Sequence, residues 1–251
     1  MRVWIQAARL RTLPAAVAPV LIGVAMAIGD AQFHLLAAAS ALIGALIIQI
    51  GTNFANDYFD FVKGTDNDSR IGPPRATQAG LVAPKTMKMA FILTFASLFP
   101  FALYLTFRGG WPLAVIGVTS VISGILYTGG PKPLGYLGLG DLFVLVYFGP
   151  VAVWGTYFVQ SQVHSWIPIV VGLGPGLIST AILVVNNLRD KDTDVRTGKY
   201  TLAVRFGERF ARIEYTLCLF IAAAIPLTLS WLQYGPWTAS IASFFLFPAI
   251  P

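Results

Sequence analysis

Most of the chain's 11 acidic residues fall in two short runs, and each run follows a long apolar stretch. The first reads NFANDYFDFVKGTD (53–66), directly after LLAAASALIGALIIQIG. The second begins NNLRDKDTD at residue 186. Helical positions three, four, seven or eight apart share a face. Asn53, Asp57 and Asp60 therefore form one strip of oxygen donors, and Asn186, Asp190 and Asp194 form another. Carboxylates gathered within a few ångströms repel one another unless they are protonated or bridged by cations. An oxygen-only donor set selects a hard ion, and Mg2+ binds a few carboxylates while drawing other ligands from substrate phosphates. Lys63, Arg70, Arg75, Arg189, Lys199 and Arg205 surround the strips and suit a diphosphate. Asp66, Asp68, Asp192, Lys191, Arg209 and Arg212 read instead as solvated connector residues.

The elements that carry these strips are membrane helices. Of 251 residues, 56% are hydrophobic and 11% charged, too few to cover a soluble domain of this size. Eight candidate spans lie at roughly 12–29, 35–56, 86–107, 111–128, 139–159, 166–188, 211–232 and 237–251. Each is about the length a bilayer requires. The runs are continuously apolar and do not alternate, which argues against a β-barrel. The fold class is all-α: a polytopic transmembrane helical bundle forming one domain over residues 1–251. Cys218 is the one cysteine, so there is no disulfide framework. No cleavable signal peptide is evident before the first span.

The net charge of +6 orients the chain and does not point to nucleic acid. With the N-terminus inside, every Lys and Arg except Arg108 lies in or beside a cytoplasmic segment. Both acid strips then face the cytoplasm, four spans apart, at the ends of even-numbered spans. That spacing suggests two four-helix pseudo-repeats, approximately 1–130 and 131–251. A third cytoplasmic segment, YTGGPKPLGYLGLGD (127–141), is too rich in Gly and Pro for an unbroken helix. Tyr127 at its start could stabilise a cation with its ring face, and Lys132 could contact acceptor or diphosphate. Asp141 opens the fifth span. His34 and His164 lie on the opposite side, away from both strips. Gly44, Ala45, Gly172, Gly174 and Gly176 would let helices approach closely.

The order Asn-Asp-x-x-Asp (56–60) and Asp-x-x-x-Asp (190–194) resembles the two aspartate motifs of the UbiA superfamily of intramembrane prenyltransferases. The likeness extends over nearly the whole chain. It includes ARLRTLPAAVAPVLIG (8–23), NDYFDFVKGTD (56–66), RIGPPRATQAG (70–80), the 127–141 segment and NNLRDKDTDVRTGKYTLAVRFG (186–207). Within the superfamily the chain is most similar to the branch that prenylates 1,4-dihydroxy-2-naphthoate. The resemblance implies Mg2+ held by Asn53, Asp57, Asp60, Asn186, Asp190 and Asp194, with the four aspartates catalytic. Lys63, Arg75, Arg189 and Lys199 would bind the diphosphate, and Tyr127 and Lys132 would meet the substrate or its cation. The implied reaction moves a polyprenyl group from polyprenyl diphosphate to 1,4-dihydroxy-2-naphthoate with decarboxylation, giving demethylmenaquinone at a prokaryotic inner or plasma membrane. It also implies nine spans, one more than the eight read here. The superfamily often has an Asp four residues past Asp60; here that position is Gly64, with Asp66 two residues on.

Other readings change the acceptor to 4-hydroxybenzoate or homogentisate, or the donor to a phytyl diphosphate. A membrane transporter or lipid-phosphate flippase belongs to another class. Transporters place ionisable groups near mid-depth on discontinuous spans, whereas the charge here gathers on one face.

Overall fold

The computed structural model describes residues 2–66 and 72–246, and every regular element among them is helical. Helix α1 (Arg2–Ala8) leads through a 3-10 turn at Leu10–Thr12 into α2 (Leu13–Gly29). There follow α3 (Leu35–Val62), α4 (Pro84–Ala96), α5 (Phe99–Gly109) and α6 (Trp111–Leu126). Helix α7 (Gly140–Val146) joins α8 (Ala152–Ser161) through a π turn at Tyr147–Val151. The remaining helices are α9 (Ile167–Arg189), α10 (Lys191–Arg196), α11 (Leu202–Trp231) and α12 (Ile241–Leu246). Proline occupies the first or second position of α2, α4, α5, α6 and α9, where its missing N–H costs nothing.

Six stretches among the described residues are long and apolar enough to cross a bilayer: Arg2–Gly29, Leu35–Val62, Pro84–Gly109, Gly140–Ser161, Ile167–Arg189 and Leu202–Trp231. The shorter α6 is a seventh apolar helix. These coincide with the first seven spans expected from the sequence. The eighth expectation, 237–251, falls on a 3-10 turn at Trp237–Ser240 and six-residue α12, and runs past the described residues. Helix α11 includes a short segment from Leu202 that the sequence reading, with a span start at 211, did not include; Gly207 (φ +82°, ψ 179°) is non-helical and breaks this segment from the long helix that follows. Glu214 lies well inside this helix.

Polar side chains are buried among apolar ones, and many large apolar side chains face outward. Leu21, Phe107, Trp111, Leu217, Phe220 and Trp231 are exposed, while Gln49, Asn53, Asp57, Thr156, Gln160 and Thr180 are buried. In lipid, apolar side chains gain nothing by turning inward, so close packing and interior hydrogen bonds hold the helices together. Helix α9 lies along α11 and against α7 and the π turn, α3 lies along α4, and α2 crosses α8. At the π turn the backbones touch: a Cβ on Gly149 would sit 2.6 Å from the Gly172 carbonyl oxygen, and one on Gly172 would sit 2.7 Å from Pro150 Cα. Gly176 packs there too, whereas Gly174 faces open space and Gly44 and Ala45 line a cavity.

Candidate active site

The first acid strip is on the last two turns of α3, but its members face different neighbours. Asn53 donates through Nδ2 to Ala8 O (2.9 Å) and Thr12 Oγ1 (3.1 Å). It ties α3 to the α1–α2 turn. Asp57 is 1% exposed and accepts from the backbone N–H of Ala76 and Thr77, at 3.0 Å each. That pair of bonds fixes the loop segment carrying Arg75. Asp60 is the member turned toward the opposite strip. It accepts from Tyr136 Oη at 3.0 Å and has Arg75 Nη2 at 3.8 Å.

Asp66 is a correction. The sequence reads as a solvated connector here, yet Asp66 is 4% exposed, with Arg75 Nε 3.2 Å from Oδ2. The reason is Gly64. It adopts φ +71° just past the C-cap of α3, so the Thr65 and Asp66 amides fold back onto the Asp60 carbonyl, at 2.9 and 3.2 Å. The glycine that replaces the superfamily's usual aspartate returns the next acid to the same place. Arg75 then bridges both carboxylates.

The second strip is broken by a bend. Helix α9 ends at Arg189, Asp190 caps it, and α10 begins at Lys191. Arg189 grips Asp190 with Nε and Nη2, each 2.7 Å from a carboxylate oxygen. Asp194 is 4% exposed, and Lys199 Nζ stands 3.3 Å from both of its oxygens. Burial pushes the Asp194 carboxyl up; Lys199 opposes this, and the charges of Asp190 and Asp60 add to it. Tyr136 links the two strips: its hydroxyl bonds to Asp60, and its carbonyl accepts from the Tyr200 amide, next to the Lys199 that pairs with Asp194. Asn186 is half-buried, with its carbonyl bonded to the Asp190 amide.

The 127–139 segment closes this mouth, and it holds residues the sequence reading did not single out. Tyr136 bonds to Asp60 and Thr65, and its carbonyl accepts from the Tyr200 amide at 3.0 Å. Burial raises the Tyr136 phenol, with Asp60 adding to the effect. Lys63 donates to Gly130 O (2.8 Å) and lies 5.0 Å from the Tyr136 ring centroid. Burial lowers the Lys63 ammonium, opposed by Asp60. Asn56, next to the predicted Asp57, accepts from Thr128 Oγ1 at 2.8 Å. Its place inside Asn-Asp-x-x-Asp was the available signal. Lys132 is exposed, Arg205 donates to Tyr200 O (3.0 Å), and Arg70 lies outside the described residues. Asp192 is exposed and Arg212 pairs with Glu208, as connector residues should.

Tyr127 joins the mouth to the interior. It is within electrostatic reach of Asp60, Asp194, Asp141 and Arg9. It also lines a cavity of about 200 Å³ that runs between α2, α3, α6 and α8 past Val20, Ile48, Leu105, Ile116 and Val151. A polar mouth thus opens onto an apolar channel.

No three Asp, Glu, His or Cys side chains gather at one point among the described residues. The acids come in pairs, Asp60 with Asp66 and Asp190 with Asp194, each held by a cation. This donor set fits Mg2+, which takes one or two carboxylates and completes its shell with phosphate oxygens and water. It does not suit an ion that needs a cage built from protein alone.

The fold and site define an intramembrane enzyme class: the chain belongs to the UbiA prenyltransferase family, whose model matches residues 16–250. It is a prenyltransferase and an integral, multi-pass membrane protein. Among curated relatives, it is 41% identical over 234 residues to the 1,4-dihydroxy-2-naphthoate octaprenyltransferase of Escherichia coli (strain K12), covering 90% of this chain and 75% of that one. It is 39% identical over 237 residues to the protein of the same name from Mycobacterium tuberculosis, covering 93% and 79%. A solved UbiA homologue from Archaeoglobus fulgidus, described as bound to DMAPP and Mg2+, shares the fold with a TM-score of 0.66. It has 14% identity, with 99% of this chain and 84% of that chain covered.

Proposed function

We propose that this chain transfers a polyprenyl group from polyprenyl diphosphate to 1,4-dihydroxy-2-naphthoate, with loss of the ring carboxylate as CO2, giving demethylmenaquinol, the reduced form of demethylmenaquinone. The observation that carries this reading is that Tyr136 ties Asp60 to the segment holding Asp194, beside Tyr127 at the end of an apolar channel. The naphthoate acceptor is supported by the relatives' shared name.

Asp60, Asp66, Asp190 and Asp194 are the residues that would hold Mg2+. Bound there, the ion supplies Lewis-acid stabilisation to the charge that develops on a departing diphosphate. Asp57 and Asn53 hold the scaffold: one fixes the Arg75 loop, the other the α1–α2 turn. The bases now paired with the acids have a second task. Arg75, Arg189 and Lys199 turn from carboxylates to diphosphate oxygens, and the acids they leave are free for metal. Preorganised cations of this kind stabilise a leaving group most where its charge is greatest. Lys63 and Tyr136 seal the site from water above, and the channel walls do so below.

The allylic C1 emerges beside Tyr127, whose ring face stabilises positive charge. The C1–O bond breaks, a C–C bond forms at the carboxyl-bearing ring carbon, and the pair from the C–CO2 bond restores the aromatic ring. The basic flanks of the spans support a mouth on the cytoplasmic side of the membrane.

Purified protein incubated with prenyl diphosphate, naphthoate and Mg2+ tests the proposal by mass spectrometry of extracted lipids. A prenylated naphthoquinol lacking the carboxyl group is expected, with no product after chelation by EDTA. Product from 4-hydroxybenzoate alone, or undiminished turnover in EDTA, overturns the assignment.

A further inference from the structure

The chemistry just derived leaves one buried carboxylate without a task. Asp141, in the first turn of α7, is 6% exposed; its own backbone amide bonds to the carboxylate, while Oδ1 has no hydrogen-bond partner. An acceptor oxygen withdrawn from water without a donor is costly. A native fold rarely leaves such an oxygen in place unless something else fills it.

Its surroundings point to the acceptor side of the reaction. Gly140 packs against the Tyr127 ring so closely that a Cβ there would lie 2.9 Å from the phenol oxygen. The start of α7 and Tyr127 are therefore held side by side. Val144, one turn on from Asp141, lines the channel that Tyr127 also lines. Thr180 Oγ1 donates to the Asp141 carbonyl at 3.4 Å, which pins the turn to α9. The charged neighbours within electrostatic reach are Lys199 and, deeper on α11, Glu214. Asp60 and Asp194 carry Arg75 and Lys199 as ion-pair partners.

We infer that Asp141 accepts a hydrogen bond from a ring hydroxyl of the aromatic acceptor and so selects which ring carbon faces the allylic C1. This rests on the naphthoate reading above. In 1,4-dihydroxy-2-naphthoate the 1-hydroxyl is engaged by the adjacent carboxylate, which leaves the 4-hydroxyl as the available donor. Asp141 repels the substrate carboxylate by like charge, and that end turns toward the basic mouth. The same bond enriches the ring in electrons. The balance needs no base: CO2 leaves its bonding pair to the ring, and both hydroxyl protons stay on the quinol. A carboxylate that shares a proton without keeping it is sufficient.

The test compares wild type with Asp141→Asn, using the naphthoate diol as substrate and 1-hydroxy-2-naphthoate as a competitive inhibitor. The expected result is a loss of about tenfold or more in kcat/KM for the diol, the scale of one hydrogen bond to a charged group. The inhibitor, which lacks the 4-hydroxyl, should bind both proteins equally, and the KM for prenyl diphosphate should not move. Unchanged diol kinetics, an equal loss for the inhibitor, or a shifted diphosphate KM overturns the inference. If the variant fails to fold, wild type alone decides: equal affinity for diol and inhibitor is the overturning result. A wild type that makes no prenylnaphthoquinol refutes the functional reading itself, whereas an active wild type indifferent to the 4-hydroxyl refutes only the role of Asp141.

Discussion

Asp57 and Asp60 are three residues apart on one helix and have different jobs. Asp57 holds two backbone amides of the Arg75 loop, while Asp60 meets Tyr136 and Arg75. Asp60→Asn and Asp194→Asn should each lower kcat about 100-fold or more, as expected when a charged contact worth ~3 kcal/mol is lost. Asp57→Asn turns an amide donor toward one of the two N–H groups, so its loss of activity should come with a lowered thermal midpoint. Measuring kcat and melting together separates the two kinds of effect. A second pair tests Asp66. Asp66→Ala should lose at least about tenfold in turnover, since a buried carboxylate bridged by Arg75 is removed, while Asp192→Ala on the exposed side of α10 should match wild type. Equal activities for these two variants would return Asp66 to the solvent.

At the scale of elements, the crossing of α9 over the π turn holds the second half of the mouth in place. Gly172 and Gly174 lie two residues apart on α9, one against Pro150 and the other in open space. Gly172→Ala should destabilise the protein by about 1–3 kcal/mol through overpacking, and Gly174→Ala should be neutral. Thermal melts in detergent would show it; equal midpoints would mean that the backbones do not touch there. Seven of the eight expected spans correspond to helices because each is a long apolar run, often opened by proline. The expected start at 211 falls just past a real break, the non-helical Gly207, and what spacing did not reveal is the short helical segment from Leu202 before it. The 186–194 strip was drawn as one helix, but the structure divides it at Asp190.

For the whole molecule, the link between mouth and channel is what makes a prenyl donor fit. Gly117 lines the channel and has nothing within 4 Å of where a Cβ would lie. Gly117→Phe should therefore fold normally and obstruct the cavity. Turnover of long polyprenyl diphosphates is expected to fall steeply, while dimethylallyl diphosphate remains a substrate. If product yield across donor lengths is the same as in wild type, the chain does not lie in this cavity.

Hydropathy and the placement of basic residues were enough to read an all-helical membrane bundle with its acids at one face, because burying charge in lipid is costly and few sequences satisfy that constraint by chance. Helical spacing was enough to find the acid strips. It could not assign Asp57 to a loop and Asp60 to the mouth, because both fit the same face and only the fold decides which neighbour each one meets. Nor could it show that Gly64 returns Asp66 to the site, that Tyr136 bonds to Asp60, or that one carboxylate oxygen of Asp141 is left unpaired. Those outcomes depend on contacts between segments far apart in the chain, which local spacing does not encode.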